Sequence, residues 1–307
     1  MIYTLTLNPA IDHIVRVEKL DVGETNRMVD ETFKAGGKGI NVSKLLKNLG
    51  ENSLCLGFVA GFTGLELERM AEEDFNLNSD FIHVSEGLTR INTKIKAEKE
   101  TEINGNGPII RQADIDKLFN QLEQIKENDY LFLSGSIPKC LDANFYAQIM
   151  ERLKNKHINI IVDSSGDSLK ESLKYKPFVI KPNLRELEQI FDVSIDDNDD
   201  IKLYAKKLQE MGAKNIIVSL GGDGAYMLDE NGNVYFLEAP QGELVDSVGS
   251  GDSMLAGFVY SVINNNTYED AFKFSLACGS ATAFSDNIAR EEEIYNLYEK
   301  MQEKKWK

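Results

Sequence analysis

The 307-residue sequence is short of the residues from which several common kinds of site are built. Its three cysteines, Cys55, Cys140 and Cys278, lie far apart among apolar or small neighbours. That spacing excludes a disulfide frame and a cysteine zinc site, and predicts reduced, mostly buried thiols. His13, His83 and His157 are equally scattered, which leaves little material for a Ser-His-Asp triad or a histidine metal cluster. Positive charge is scarce too: 34 Lys and Arg stand against 50 Asp and Glu, for a net charge of −16. Nucleic acid and an anionic membrane surface are therefore excluded as main partners, whereas a small anion needs only a few local cations. No apolar run approaches a membrane span, and the first residues lack the basic-then-apolar form of a signal peptide, so a cytoplasmic location is expected. The phosphate-loop pattern Gly-x-x-x-x-Gly-Lys-Ser/Thr is absent. So is a Gly-x-Gly-x-x-Gly turn after the first strand, which counts against a dinucleotide-dependent dehydrogenase.

What the chain does have is glycine at helix entrances. In Asp246-Ser-Val-Gly-Ser-Gly-Asp-Ser-Met-Leu-Ala-Gly-Phe258, Gly249, Ser250 and Gly251 are small enough to let a ligand approach the backbone. From Met254 the apolar residues Met254, Leu255, Phe258, Val259 and Val262 follow a helical spacing. The free N–H groups of such a helix start form an anion site. A carboxylate there, Asp252, is out of place if phosphate binding is the only task. It fits if the carboxylate takes a proton from a hydroxyl while the N–H groups stabilise a phosphoryl group. The plainer reading is a helix cap behind a tight turn. A second such entrance is Ala35-Gly-Gly-Lys-Gly-Ile-Asn-Val42, ahead of an amphipathic run that ends at Gly50.

The chain as a whole reads as α/β. Ile2 to Leu7 is a first strand, Ser53 to Val59 a buried strand, Gly61 to Gly64 a turn and Leu65 to Phe75 a helix. Segments 12–34 and 89–108 are wetter and alternate strictly, as in Arg90-Ile-Asn-Thr-Lys-Ile-Lys96, and are expected to form a small separate sheet. From Gln112 helices and strands alternate up to Ser219, which predicts a mostly parallel sheet with helices on both faces. Asn231-Gly232 marks a hairpin that extends it. Three helices close the chain, and Lys304 to Lys307 reads as a solvated tail. The expectation is one domain over 1–307. Asn8, Asp12, Ser134-Gly-Ser136, Lys181-Pro-Asn183, Ser219-Leu-Gly-Gly-Asp-Gly224 and the 249–252 turn all fall at carboxyl ends of its strands, where ligands bind in open sheets.

At this point the chain resembles a known family, the ribokinase-like, PfkB-type carbohydrate kinases. The resemblance spans the whole length. It is carried by Ala35-Gly-Gly-Lys-Gly-Ile-Asn-Val42, Lys181-Pro-Asn-Leu-Arg-Glu-Leu187, Val218-Ser-Leu-Gly-Gly-Asp-Gly-Ala225 and Asp246-Ser-Val-Gly-Ser-Gly-Asp-Ser253, in the family's order. Ser250 stands where the family often has Ala. Thr4-Leu-Thr-Leu-Asn-Pro-Ala-Ile-Asp12, Thr89-Arg-Ile-Asn92 and Thr101-Glu-Ile-Asn-Gly105 look most like the branch that phosphorylates fructose 1-phosphate.

The resemblance implies a three-layer sandwich with a small β-sheet lid, and ATP with Mg²⁺ as cofactors. It implies Asp252 as base, with the N–H groups of Gly249, Ser250, Gly251 and Asp252 around the transferred phosphoryl group. It puts Asp12, Gly37, Lys38 and Asn41 on the sugar, and Arg27, Lys38 and Arg90, assisted by Ser136, on the substrate's own phosphate. It puts Lys181, Asn183, Glu186, Ser219, Gly221 and Gly224 at the nucleotide, with Asn183 and Glu186 reaching Mg²⁺ through water. Tagatose 6-phosphate or fructose 6-phosphate as acceptor, and a sugar-phosphate sensor with a dead kinase site, remain the alternatives. The apolar face of the lid hairpin needs a cover, and a homodimer through the lid supplies one.

Overall fold

The structure is a computed structural model that describes residues 1–302. Lys304 to Lys307 lie outside the described residues. The first third contains β1 (Ile2–Thr6), β2 (Ala10–Arg16), β3 (Asp30–Gly36), α1 (Lys38–Asn48), β4 (Ser53–Ala60), α2 (Gly61–Arg69), β5 (Asn78–Val84), β6 (Arg90–Lys96) and β7 (Thr101–Asn104). Then come α3 (Gln112–Leu122), β8 (Tyr130–Ser134), α4 (Phe145–Leu153), β9 (Asn159–Asp163), α5 (Gly166–Leu173), β10 (Val179–Ile180), α6 (Leu184–Phe191), α7 (Asn198–Met211) and β11 (Asn215–Ser219). The hairpin β12 (Ala225–Leu228) and β13 (Val234–Leu237) precedes α8 (Ser250–Ile263), α9 (Tyr268–Ala283) and α10 (Glu291–Gln302).

Nine strands form the main sheet in the order β13-β12-β11-β10-β9-β8-β1-β4-β5. Only β12 and β13 run antiparallel to their neighbours, as Asn231-Gly232 foretells. The sheet is buried on both faces, which is why its strands read as continuous apolar runs. Alternate residues divide between two cores. Leu5, Leu131, Leu133, Val162, Ile216 and Val218 pack with α3 to α7. Ile2, Phe132, Ile161 and Ile217 pack with α1, α8, α9 and α10. Helix starts carry their own caps: Asp197 accepts from Asp200 N–H on α7, and Thr267 from Asp270 N–H on α9.

Segments 12–34 and 89–108 supply a separate four-stranded sheet, in the order β3-β2-β6-β7. Asp12 lies opposite Lys34 on one side and Asn92 on the other. Its even-numbered residues, among them Asp12, Arg90, Asn92 and Lys94, line a cleft against the main body. The opposite face is apolar. It is covered at Ile11 and Ala35 and left open at Phe33, Ile91 and Ile103.

Three local expectations need correction. Gly61 to Gly64 is not a turn but the first turn of α2, because Gly61 takes a φ of +60° and swings the chain straight from β4 into the helix. The helix expected through Phe75 leaves α geometry at Met70 and ends as a π-helical turn, Met70–Asp74. That turn keeps Met70 and Ala71 in the core while Asp74 reaches Arg69 at 3.2 Å. Cys140 is exposed rather than buried, since it sits in the loop that follows β8 and not in an element. Cys55 and Cys278 are buried, and burial pushes both thiols above their ordinary range.

Some glycines are fixed by the backbone itself. Gly224 has a φ of +113°, and a Cβ there would lie 1.9 Å from the Leu237 carbonyl oxygen across the β12–β13 hairpin. Gly224→Ala must therefore strain the turn and push two strands apart. Urea unfolding should show a loss of about 2 kcal/mol or more; a change within about 0.5 kcal/mol would mean the hairpin yields freely.

Candidate active site

The sheet order reverses at β1, whose neighbours are β4 on one side and the later β8 on the other. A crevice opens at the carboxyl ends of the strands at such a point. Here it is a cleft of about 510 Å³, roofed by the small sheet. Thr6 and Asn8 enter it after β1, Gly135 and Ser136 after β8, and Lys181 after β10. Helix α1 contributes Lys38 and Asn41 and α8 contributes Gly249, Gly251 and Asp252.

The two glycine-rich entrances meet in this cleft. Helix α1 packs closely on β1: a Cβ on Gly39 would stand 2.5 Å from Thr6 Oγ1, which instead accepts the Gly39 N–H at 3.1 Å. Gly37, with a φ of +133°, turns the chain into that helix. Gly36 makes room for a function-bearing side chain, because a Cβ there would lie 2.7 Å from Asp12 Oδ2. On the other side Gly249 adopts a φ of +82° and opens α8. A Cβ on Gly251 would stand 2.6 Å from Lys181 Nζ, so that ammonium lies over the first turn of α8 and adds its charge to the helix's positive end.

Asp252 is 6 % exposed, and its Oδ2 accepts from Asn41 Nδ2 at 2.8 Å. Burial, then the charge of Asp163, raise its pKa to about 6, against the pull of Lys38, Asn41 and Lys181. Asp163 ends β9 and is itself buried, with Oδ1 held by Lys38 Nζ at 3.0 Å and Oδ2 without a partner among the described residues. Burial raises its pKa, but Lys38 and Lys181 outweigh that and hold it below the usual range, so it keeps its charge. Burial of Lys38 works against its charge, yet Asp163, Asp252 and Glu186 hold the ammonium protonated well above its ordinary pKa. The result is one carboxylate that stays ionised and a second that is a stronger base than free aspartate.

The small sheet adds cations. Lys94 is buried with Nζ 3.3 Å from Asp12 Oδ2, and Asn92 Nδ2 donates to Asp12 Oδ1 at 3.0 Å. Arg90 donates from Nε to the Asn8 carbonyl at 3.0 Å, and its two terminal nitrogens have no protein partner among the described residues. Such a fork suits a phosphate.

Of the residues singled out from the sequence, Asp12, Gly37, Lys38, Asn41, Arg90, Ser136, Lys181, Gly249, Gly251 and Asp252 line this cleft together. Ser250 opens α8 with its hydroxyl buried and turned from the cleft lining. Asn183 and Glu186 form a reciprocal capping box at the start of α6, the plainer role that their spacing also allows. Ser219 bridges to Asn183, and Gly221 and Gly224 flank a 3₁₀ turn beside it. Arg27 is not brought in; it lies exposed on the loop between β2 and β3, outside the cleft lining. Asp163 and Lys94 were missed. Lys94 shares the strand parity of Arg90, and Asp163 ends a strand on the same rim, so both signals were present.

The carboxyl pair predicts a titration independent of any reaction. With ¹³C-labelled aspartate, one side chain should titrate near pH 6 by NMR. Asp163→Asn removes the charge that disfavours ionisation, so the midpoint should fall; an unchanged midpoint would contradict the coupling.

Comparison with known proteins agrees with this geometry. Residues 5–292 match the model of the pfkB family carbohydrate kinases. A 1-phosphofructokinase of Bacillus subtilis (strain 168) is 44% identical over 97% of both chains. A D-tagatose-1-phosphate kinase of Bacillus licheniformis is 36% identical over 94% of both. The crystal structure of phosphofructokinase-2 from Escherichia coli in complex with fructose-6-phosphate superposes with a TM-score of 0.91 at 26% identity, over 98% of this chain and 99% of that one. With a family match over nearly its whole length and the ribokinase-like arrangement of its two sheets, the chain belongs to the pfkB family of carbohydrate kinases.

Proposed function

We propose that the protein transfers the γ-phosphoryl group of ATP to the 6-hydroxyl of D-fructose 1-phosphate, giving fructose 1,6-bisphosphate and ADP. The observation that carries this reading is Asp252, a buried carboxylate of raised basicity at the positive end of α8, facing a cleft with more than one cation. The 44% identity to a 1-phosphofructokinase supports the choice of acceptor.

In this reading Asp252 takes the proton of the sugar hydroxyl as its oxygen bonds to the γ-phosphorus and the bond to the ADP oxygen breaks. Asn41 holds the carboxylate in place, and a pKa near 6 leaves it ionised at neutral pH yet able to accept the proton. The N–H groups of Gly249, Gly251 and Asp252, with Lys181, face the charge on the phosphoryl oxygens; the Ser250 N–H, expected among them, donates to the Ser247 carbonyl oxygen at 3.2 Å instead. Asp12, Gly37, Lys38 and Asn41 meet the sugar. Arg90, Lys38 and Ser136 hold the phosphate it already carries, with Lys94 beside them. Ser219, Gly221 and Gly224 bound the nucleotide side next to Asn183.

No group of His, Cys, Asp or Glu that would cage a metal occurs among the described residues. That fits Mg²⁺, which typically arrives with nucleotide phosphates and keeps its waters. Glu186, whose charge is felt at Lys38 across the cleft, and Asn183 would hold it through water, and the ion would neutralise phosphate charge. No described helix is long and apolar enough to cross a membrane; we read the protein as a cytoplasmic enzyme.

The 36% identity to a D-tagatose-1-phosphate kinase favours one second reading, the same chemistry on a tagatose phosphate. Initial rates with ATP and Mg²⁺ on fructose 1-phosphate, fructose 6-phosphate, tagatose 1-phosphate and tagatose 6-phosphate decide between them. The highest kcat/KM is expected for fructose 1-phosphate, and Asp252→Asn should lower kcat about 10²–10⁴-fold. A higher value for a tagatose phosphate would keep the mechanism and change the substrate. Phosphate-ester binding without turnover would leave a sensor.

The open apolar face of the small sheet, with Phe33 49% and Ile103 61% exposed, supports a homodimer in which two such faces cover each other. Sedimentation at micromolar concentration should find dimers, and Ile103→Lys should yield monomers. A monomeric parent protein would remove this reading.

A further inference from the structure

The segments Thr89-Arg-Ile-Asn92 and Thr101-Glu-Ile-Asn-Gly105 each carry an asparagine that has no part in the reaction proposed above. The small sheet brings the two together. Asp12 on β2 lies opposite Asn92 on β6, and Asn92 lies opposite Asn104 on β7. Residues opposite one another share a face of the sheet, and all three line the catalytic cleft. They form one polar row across three strands of its roof.

Arg90 lies on the same strand and the same face as Asn92, two residues earlier. Two residues of a strand span about 7 Å. That is comparable to the reach from a phosphate on C1 of a hexulose to its C3 and C4 hydroxyls. With that phosphate on Arg90, the row meets the middle of the sugar.

Asn92 is the buried asparagine of the row, 8% exposed. Its Nδ2 donates to Asp12 Oδ1 at 3.0 Å, while its own Oδ1 is shut off from solvent without a partner among the described residues. A buried amide acceptor left unpaired costs stability. Leucine has nearly the same shape and avoids that cost, so packing alone does not account for asparagine here. What leucine lacks is the donor to Asp12. Two further contacts bear on this carboxylate. Lys94 Nζ lies 3.3 Å from Oδ2, and a Cβ on Gly36 of β3 would stand 2.7 Å from the same oxygen. Lys94 is a point charge on a flexible stem and sets little direction. The planar amide of Asn92, on a short stem, sets the direction of Oδ1.

We infer that Asn92 is a positioning residue that fixes the plane of the Asp12 carboxylate, and that the carboxylate so fixed tells a hexulose phosphate from its C4 epimer. This rests on the reading of the cleft as a sugar-phosphate site and names what selects the sugar within it. A carboxylate only accepts hydrogen bonds, through about four lone-pair directions. With one donor already on each oxygen, the directions that remain for a ligand are set. Fructose and tagatose differ only in configuration at C4. In the furanose ring the hydroxyls on C3 and C4 lie on opposite faces in fructose and on the same face in tagatose. A carboxylate held in one plane accepts from both hydroxyls of one epimer only, whereas one free to turn follows either. Asn104, exposed at the end of the row, adds a donor and an acceptor beside it.

Isothermal titration calorimetry without ATP tests this apart from turnover. Dissociation constants are measured for fructose 1-phosphate and tagatose 1-phosphate on the parent protein, on Asn92→Leu and on Asn92→Ala, the smaller substitution serving where the larger does not fold. The parent should bind fructose 1-phosphate about 10-fold or more tightly than its epimer, the effect of one lost hydrogen bond to a charged group. In the variants that ratio should shrink to about 3-fold or less, mainly through weaker binding of the favoured epimer. A parent that favours tagatose 1-phosphate would change the substrate proposed above, yet uphold the inference when the ratio still shrinks. A ratio unchanged in the variants is the result of a merely structural Asn92, which weakens both sugars alike; it would overturn the inference and leave the proposed reaction standing. So would a parent that binds the two epimers equally. Binding of neither would overturn both.

Discussion

Two carboxylates buried together at the mouth of the sheet are the constraint around which the site is arranged. Asp252 and Asp163 each lose solvation, and the charge of Asp163 makes Asp252 harder to ionise. Left alone, such a pair would take up protons or break open. Lys38 and Lys181 prevent this, and they act unequally. Lys38 bonds directly to Asp163 and fixes its charge, which leaves Asp252 with the residual repulsion and a pKa near 6. A phosphoryl-transfer site can use that asymmetry. A carboxylate at its ordinary pKa would be too weak a base, and one raised by several units would be protonated at neutral pH.

The pair can be held only because the surrounding backbone approaches closely. Gly36 leaves room for Asp12, Gly39 lets α1 settle on β1, and Gly251 leaves room for the ammonium of Lys181. These glycines are not loose hinges; each marks a place where a methyl group would meet an atom that the site needs. The same packing brings α1 and α8 side by side, so that Asn41 on one helix reaches Asp252 on the other. Fold and site are thus a single requirement in this region: the helix that carries Asp252 cannot shift without that carboxylate losing its hydrogen-bond partner.

Much of this was legible in the sequence, for identifiable reasons. Apolar runs bounded by turn residues report parallel strands reliably, and Asn231-Gly232 reported its hairpin, because those signals are local. Likewise the residues at the carboxyl ends of strands fell on one rim once the strand order was parallel. Asp163 and Lys94 were harder. An aspartate ending a strand and a lysine on an alternating strand have common solvated roles, and only the three-dimensional neighbour, Lys38 for one and Asp12 for the other, distinguishes them. Arg27 failed in the opposite direction: its residue type fitted a phosphate, but its loop leaves it in solvent. The π-helical turn at Met70–Asp74 had no sequence signal, since it reflects how the end of α2 must reach the core.

The overall charge of −16 would repel a ligand that carries phosphates if all of it acted at the site, and the resolution lies in distance. Charges in solvent are screened over about 8–10 Å at physiological salt, so most of the surface acids do not set the potential inside a cleft. What acts there is the few groups within reach: Lys38, Arg90, Lys94 and Lys181, together with the N-terminus of α8. Several of these are already committed to acids of the protein, Lys38 to Asp163 and Lys94 to Asp12. An arriving phosphate therefore does not meet bare positive charge but cations held in position by those acids, with hydrogen-bond donors to spare. This arrangement trades raw attraction for geometry, which is what a transfer reaction requires, because its rate depends on where the phosphoryl group is held as well as on how tightly.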